Sequence, residues 1–108
     1  FQAGGSAVVL WSRELLADDA DVPAADRRAG FGGIVLAHNV RSAAEVDDAL
    51  AAAERAGASS VRPARETFYG GYAVFFTDPD GHVWEVAHNP GFTLEVDGSL
   101  TLPDFGQP

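Results

Sequence analysis

The chain contains neither cysteine nor lysine, and both absences restrict its chemistry. Without cysteine there is no disulfide framework, no thiolate nucleophile and no cysteine-based zinc site. Because all seven cationic residues are arginine, a lysine Schiff base is excluded as well. A chain without disulfides is compatible with a reducing compartment, so we expect a cytoplasmic protein.

Positive charge and long apolar runs are also scarce. The formal net charge is −9, which argues against binding to nucleic acid or to an anionic membrane surface. No apolar run approaches the length of a membrane span, and no signal-peptide pattern opens the chain. A chain of 108 residues is expected to form one domain with a core of modest size.

Residues 70–90 have the pattern of a β-hairpin with one carboxylate on an apolar strand. The sequence there is GGYAVFFTDPDGHVWEVAHNP, in which Asp-Pro-Asp-Gly at 78–81 is typical of a turn. In the second strand Glu85 shares a face with Val83 and Ala87, while Trp84 and Val86 point to the other face, toward a helix. A carboxylate among apolar neighbours is costly to bury unpaired, so Glu85 either lies at an exposed rim or marks a functional site.

Residues 42–57 are the clearest helix. Ser42 and Glu45 form a capping box, and Gly57 is a good left-handed stop. Flanking strands are predicted at 31–40 and at 59–65, the latter with Pro63 at an edge or bulge. Residues 31–87 therefore read as strand, helix, strand, strand, strand, which is one βαβββ module.

The remaining residues predict smaller elements. Residues 1–11 suggest a strand pair around Gly4 and Gly5, with residues 7–10 as a short buried run. Residues 12–20 suggest a short helix with Ser12 as N-cap, and residues 92–103 a small hairpin. Because Phe1 stands in what reads as the middle of a strand, we expect the natural protein to begin earlier.

The hairpin motif, Asp-Pro-Asp-Gly followed by three residues and Glu85, resembles the closing hairpin of the vicinal oxygen chelate superfamily. That group includes glyoxalase I, bleomycin-resistance proteins and extradiol dioxygenases. The resemblance implies an α+β fold in which βαβββ modules form a mixed, curved sheet around a cleft. It divides the single domain 1–108 into the end of an incomplete first module (1–20), a second module (31–90) and a C-terminal tail (91–108).

The resemblance also implies a metal site, of which this sequence keeps little. In members that bind metal, the residue matching Glu85 is a ligand, but Gly33 stands where a histidine is usual and Val9 where a second glutamate is usual. His38 is five residues past Gly33, so strand alternation turns it to the opposite face. Only Glu85 remains of the three ligand positions within this chain, and the resemblance implies a fourth in a segment expected before Phe1. Two protein ligands at best make a poor site for Zn²⁺, Ni²⁺, Fe²⁺ or Mn²⁺, so we expect no metal, with Glu85 as ligand and catalytic group if one binds.

Several aromatic residues and one histidine are candidates for the wall of a pocket. Tyr69 and Tyr72 flank a glycine turn at a strand end, and Phe76 and Trp11 belong to the same aromatic set around the sheet. His38 is a further candidate for acid–base work, although we favour the simpler interpretation of a strand-end histidine bonded to backbone or solvent.

Three functions remain open on this sequence. The first is a protein of the bleomycin-resistance type, which binds a small organic molecule in a cleft without metal. The second is a metal-dependent lyase or dioxygenase acting on a substrate with vicinal oxygens. The third is a structural dimer without a ligand. A homodimer is expected in each case, because an incomplete module leaves an open sheet edge and an uncovered apolar face.

Overall fold

The computed structural model describes residues 1–23, 27, 31–67 and 70–103. In chain order the elements are β1 (Gln2–Ala3), β2 (Ser6–Ala7), α1 (Arg13–Asp19), β3 (Val35–Asn39), α2 (Ala43–Arg55), β4 (Ser59–Glu66), β5 (Tyr72–Thr77), β6 (Val83–His88), β7 (Thr93–Leu94) and β8 (Leu100–Thr101). Neither helix of these ranges has the length and apolar character needed to cross a bilayer.

The centre of the fold is a four-stranded mixed sheet in the order β3-β6-β5-β4. β3 runs parallel to β6, and the remaining neighbours are antiparallel. Two parallel strands must be joined by a crossover connection. Here α2 is the first element of that connection and packs on one face of the sheet. The α+β class and the βαβββ order predicted for residues 31–87 are therefore confirmed, and Pro63 lies on the edge strand β4 as expected.

Helix α2 begins and ends at the predicted signals. The Ser42 hydroxyl accepts the Glu45 amide at 3.2 Å, while the Glu45 carboxylate accepts the Arg41 amide at 3.1 Å. The helix stops at Gly57, whose φ is +102°, a conformation that costs glycine little. Its apolar face buries Val46 against the sheet in a cluster with Val40, Val74 and Val86.

The turn between β5 and β6 is organised by the side chain of Asp78. Its carboxylate accepts the amides of Asp80 at 3.0 Å and His82 at 2.9 Å, and the indole N–H of Trp84 at 2.9 Å. These donors favour the ionised form and hold the pKa of Asp78 below its usual value, the Trp84 bond most strongly. The predicted turn thus fixes the register in which Phe75 faces Glu85.

We expect Asp78→Ala to lower the melting temperature by several degrees, because three donors lose their acceptor. A carboxyl whose pKa is depressed on folding stabilises the protein above its ordinary pKa of 3.8, and this contribution disappears as the pH falls through the lower, folded-state value. Thermal melts at neutral pH measure the loss. Asp80→Ala in the same turn is the control and leaves the melting temperature nearly unchanged, whereas equal effects of the two variants would contradict this role.

The N-terminal and C-terminal hairpins lie side by side. β1 and β2 pair around Gly4 and Gly5, and β7 pairs with β8, so both predicted hairpins are confirmed. The Leu100 amide donates to the Gly5 carbonyl at 2.7 Å, and the Gln2 side chain joins the two hairpins by bonding the backbone of Leu100 and Leu102. No sequence pattern indicated this contact.

The prediction of a buried run at residues 7–10 is wrong. Val8 is 49%, Val9 73% and Leu10 77% exposed. Val8 still exchanges two backbone hydrogen bonds with Phe1, but this two-stranded hairpin offers little surface to pack on. An apolar run by itself does not bury a strand when its neighbours supply no partner surface.

Candidate functional site

Glu85 lies in the middle of β6, on the face of the sheet opposite α2. It pairs with Phe75 on β5 and with Ala37 on β3. The side chain is half-buried, and its carboxylate forms no hydrogen bond with any residue in the described ranges. Glu85 is therefore a carboxylate among apolar neighbours, without a polar partner from those ranges. Of the two alternatives that the sequence left open, an exposed rim or a functional site, this position favours the second.

Burial raises the pKa of Glu85 to about 7, and the nearby Asp19 carboxylate adds to the shift by repelling a second negative charge. Burial also raises the pKa of Asp19, although the Arg65 guanidinium opposes that change. Near neutral pH, Glu85 can consequently hold or release a proton. Perturbed carboxyls of this kind are typical of functional sites, but they also arise in structural contacts.

Asp19 reaches this face because α1 packs across it. Ala17, Ala20 and Val22 form a buried cluster with Phe75 and Val83. Ser12 caps α1 as predicted, its hydroxyl accepting the Leu15 amide at 3.1 Å. The sequence predicted the helix itself but gave no sign that it covers the sheet beside Glu85.

Two arginines of β4 hold the end of α1 against the sheet. Arg65 donates to the Asp19 carbonyl at 3.1 Å, and Arg62 donates to the Asp21 carbonyl at 3.4 Å. Residues three apart on a regular strand face opposite ways, yet Arg62 pairs with Phe75 and Arg65 with Ala73, which share one face. A register shift between them brings both side chains to α1, and strand alternation alone could not have revealed it.

The described residues do not fit the metal site that the resemblance implied. Beside Glu85, β3 presents Ala37, which has no donor atom, and Gly33 lies before the strand begins. At Gly33, whose φ is +78°, an added Cβ would stand 2.8 Å from the Arg13 guanidinium. Across residues 1–23, 27, 31–67 and 70–103, no three histidine, cysteine, aspartate or glutamate side chains are close enough to hold one metal ion.

Arg13 fills the space beside Gly33. Its guanidinium lies 5.3 Å from the centre of the Phe31 ring and donates to the carbonyls of Phe31 and Arg27. A positive charge therefore occupies the position at which the family pattern would place a metal-binding side chain. Val9, the other position for a ligand, is 73% exposed and belongs to neither buried cluster of the sheet.

Three of the other predicted site residues, Tyr72, Phe76 and His38, lie on the face opposite Glu85. Tyr72 and Phe76 pack with the cluster under α2, on the opposite face. His38 pairs with Val86 and faces the α2 side as expected, where it is exposed, and Trp11 is 43% exposed just before α1. Tyr69 lies outside the described residues.

Two open grooves lie near the end of β6 and share His88. One, of about 330 Å³, is lined by Asn39, Arg41, Asn89 and Phe92 among others. The second, of about 310 Å³, includes Tyr72 and Glu66. Glu85 is not among the lining residues of either groove. His88 and Glu85 point to opposite faces of the sheet, so the spacing of the two residues does not form a ligand pair.

The strand order, the crossover helix and the closing hairpin with its central glutamate define a βαβββ protein. A sequence model of the Glyoxalase/Bleomycin resistance protein/Dioxygenase superfamily matches residues 5–86. The chain belongs to this superfamily. A search among curated proteins gave no significant match.

Solved structures with the same fold are longer than this chain. A glyoxalase-related enzyme from Fulvimarina pelagi is 36% identical, with a TM-score of 0.65; the match covers 87% of this chain but only 66% of that one. A family enzyme from Burkholderia phytofirmans PsJN is 24% identical over 69% of this chain and 55% of that chain, with a TM-score of 0.52. A family protein from Nocardioides is 24% identical over 75% and 54%, with a TM-score of 0.50. The last two similarities concern the fold alone.

Proposed function

We propose that this protein binds a small organic molecule on the sheet face that carries Glu85, without a metal ion. The observation that carries the proposal is the half-buried Glu85 carboxylate, which has no hydrogen-bond partner within the described ranges. Phe75, Val83 and Ala87 lie on the same face as a buried apolar floor, and Ala37 beside Glu85 is exposed. A mostly apolar surface with one oriented polar group is the usual composition of a small-molecule site.

The donor set supports binding without metal. Ala37 beside Glu85 and the Arg13 guanidinium at Gly33 leave Glu85 without the companions that a divalent ion requires. In this proposal, Glu85 acts as a hydrogen-bonding group toward the ligand, accepting when ionised and donating when protonated. Its pKa of about 7 keeps both forms populated near neutral pH.

Binding is tested by thermal shift and calorimetry of the full chain in the presence of a chelator. The probes are metal-free bleomycin, catechol and the hemithioacetal of methylglyoxal and glutathione, which represent the three activities in the superfamily name. We expect at least one probe to raise the melting temperature, since a ligand that binds only the folded state stabilises it.

The location of binding is tested by Ala37→Trp, which places an indole beside Glu85. We expect it to weaken binding of the active probe about tenfold or more by steric exclusion. Ala51→Trp, on the exposed side of α2, is the matched control and leaves binding unchanged. Stabilisation that requires metal would favour the metal-dependent lyase or dioxygenase, and no response to any probe or metal would favour the structural dimer.

We also propose that the protein is a cytoplasmic homodimer. The dimer is supported by exposed apolar side chains, Val9 at 73%, Leu10 at 77% and Ile34 at 69%, and by the position of β3 at the edge of the sheet. Sedimentation equilibrium is expected to give twice the mass of the chain, and Leu10→Asp is expected to shift the species toward monomer. A wild-type protein that stays monomeric at high concentration would contradict the dimer.

A further inference from the structure

Part of the Glu85 face is covered by residues 13–22, which comprise α1 and the three residues after it and are here named the cover. α1 has seven residues, fewer than two full helical turns. Isolated helices of that length are unstable in water, because the cost of nucleation is not recovered by so few hydrogen bonds. The cover therefore keeps its position only through its contacts with the rest of the fold.

The fully buried apolar contacts of the cover come from small side chains, and Leu16 is its one large side chain packed, partly buried, against the same cluster. Ala17, Ala20 and Val22 are each less than 5% exposed and pack on Phe75 and Val83. Alanine contributes one methyl group, so each of these contacts removes little apolar area from water. The cover and the sheet are therefore in close contact, but the apolar area buried between them is small.

The polar contacts of the cover lie at both of its ends. At the start, the Arg13 guanidinium donates to the Phe31 and Arg27 carbonyls. At the C-terminal end, Arg65 donates to the carbonyl of Asp19, the last residue of α1, which has no partner within the helix, and Arg62 donates to the carbonyl of Asp21 just after it. Arg27 adds a bond to the Val22 carbonyl at 2.8 Å and an ion pair with Asp18 at 2.6 Å. The Arg65 bond is exposed, so water readily replaces it, whereas Arg62 is only 9% exposed.

One feature opposes the closed position. Asp19 brings a second carboxylate toward Glu85 across the contact between the cover and the sheet. This like-charge repulsion is relieved if the cover lifts. The left-handed φ of +53° at Asp21 is instead part of the stop of α1, closed within the cover by the Val22 amide donating to the Ala17 carbonyl at 2.9 Å, so the cover can move as one unit.

We propose that the cover is a lid that detaches from the Glu85 face while the rest of the fold stays intact, with Arg65 as its latch. Local opening of weakly held segments below the free energy of global unfolding is a general property of folded proteins. The role of the lid in admitting a ligand rests on the function proposed above. The detachment itself does not, and it is tested without ligand.

The chain has no cysteine, so single introduced thiols report opening directly. Val83→Cys places a thiol under the cover, and Val86→Cys places one on the same strand under α2. The two sites are matched: Val83 and Val86 are 8% and 3% exposed, and both are changed from valine to cysteine. The global stability of each variant is measured by urea denaturation, and the labelling rates are corrected for it. We then expect the thiol of Val83→Cys to react with Ellman's reagent at least about tenfold faster than that of Val86→Cys, because exposing position 83 needs only local opening.

The latch is tested by adding Arg65→Ala to both thiol variants. We expect this change to accelerate labelling at position 83 several-fold and to leave labelling at position 86 unchanged. Arg55→Ala, at the end of α2 on the other face, is the matched control and accelerates neither. If the thiol variants fold poorly, hydrogen exchange of the unmodified protein serves instead: the amide of Ala20 in the cover exchanges faster than amides of β5 and β6.

A ligand arm separates the lid from the proposed function. If a probe named above binds, Arg65→Ala is expected to raise its association rate. If no probe binds while position 83 is still labelled selectively, the proposed function fails and the lid stands. Equal labelling rates at positions 83 and 86, or equal exchange of the cover and the sheet amides, would overturn the lid, because the cover would then move only when the whole domain unfolds.

Discussion

Replacing Glu85 by glutamine is expected to stabilise the protein at about pH 8 by about 3 kcal/mol and to change its stability little at about pH 4. Burial raises the pKa of Glu85 from 4.5 to about 7 in the folded protein. Between these values the folded state holds more proton than the unfolded chain, so the free energy of unfolding falls as the pH rises through this window. Glutamine copies the shape of the protonated acid and cannot ionise, which removes that fall.

Urea denaturation of Glu85→Gln and of the wild type at several pH values measures the difference. Other titrating groups contribute to both curves and cancel when the variant is compared with the wild type. Glu54→Gln, on the exposed surface of α2, is the matched control and is expected to show no comparable pH dependence. A stability difference for Glu85→Gln that stays constant across the window would mean that the carboxylate is solvated in the folded state.

Phe75→Ala is expected to lower the free energy of unfolding by about 3 kcal/mol, the low end of the usual range for truncating a buried phenylalanine. The Phe75 ring is 6% exposed and lies in the cluster that joins α1 to the sheet. Its loss leaves a cavity between these layers, since the alanines opposite it cannot extend to fill the space. We also expect α1 to become less ordered, because its principal apolar contact is removed.

Chemical denaturation measures the first effect, and amide exchange within α1 measures the second. Val96→Ala is the control: Val96 is fully exposed in the β7–β8 turn, and its truncation is expected to change stability by no more than about 0.5 kcal/mol. A loss below about 1 kcal/mol for Phe75→Ala would mean that α1 does not pack on the ring.

Local signals in the sequence were sufficient for the module itself. The capping box at Ser42, the left-handed stop at Gly57 and the turn at residues 78–81 act within a few residues of the structures they specify, and each appears as expected. The alternation of residues along β6 predicted that Glu85 shares a face with Val83 and Ala87, opposite the face that packs against the helix. The βαβββ order follows from these elements.

Contacts between distant segments were not predictable in the same way. The packing of α1 over Phe75 depends on a connection across more than fifty residues, and no local pattern encodes it. The shared face of Arg62 and Arg65 depends on a register shift in β4, which contradicts simple alternation. Residues 7–10 show the opposite error. Their apolar character predicted that they are buried, but Val8, Val9 and Leu10 are exposed.

The predicted pocket residues show a related limit. Tyr72 and Phe76 are aromatic and close to Glu85 in sequence, but the pleat assigns them to the α2 side. Composition identified which residues were suited to a pocket, whereas face assignment decided which of them share a surface with Glu85. Whether any of these residues contacts a ligand stays a prediction.

The most direct test of the central claim is calorimetric titration of the chelator-treated protein with the probe that gives the largest thermal shift, compared with Ala37→Trp and with metal content by mass spectrometry. The account predicts binding with metal far below one equivalent, and its loss in Ala37→Trp. Stoichiometric metal that disappears in Glu85→Ala, together with binding only when metal is present, would contradict it.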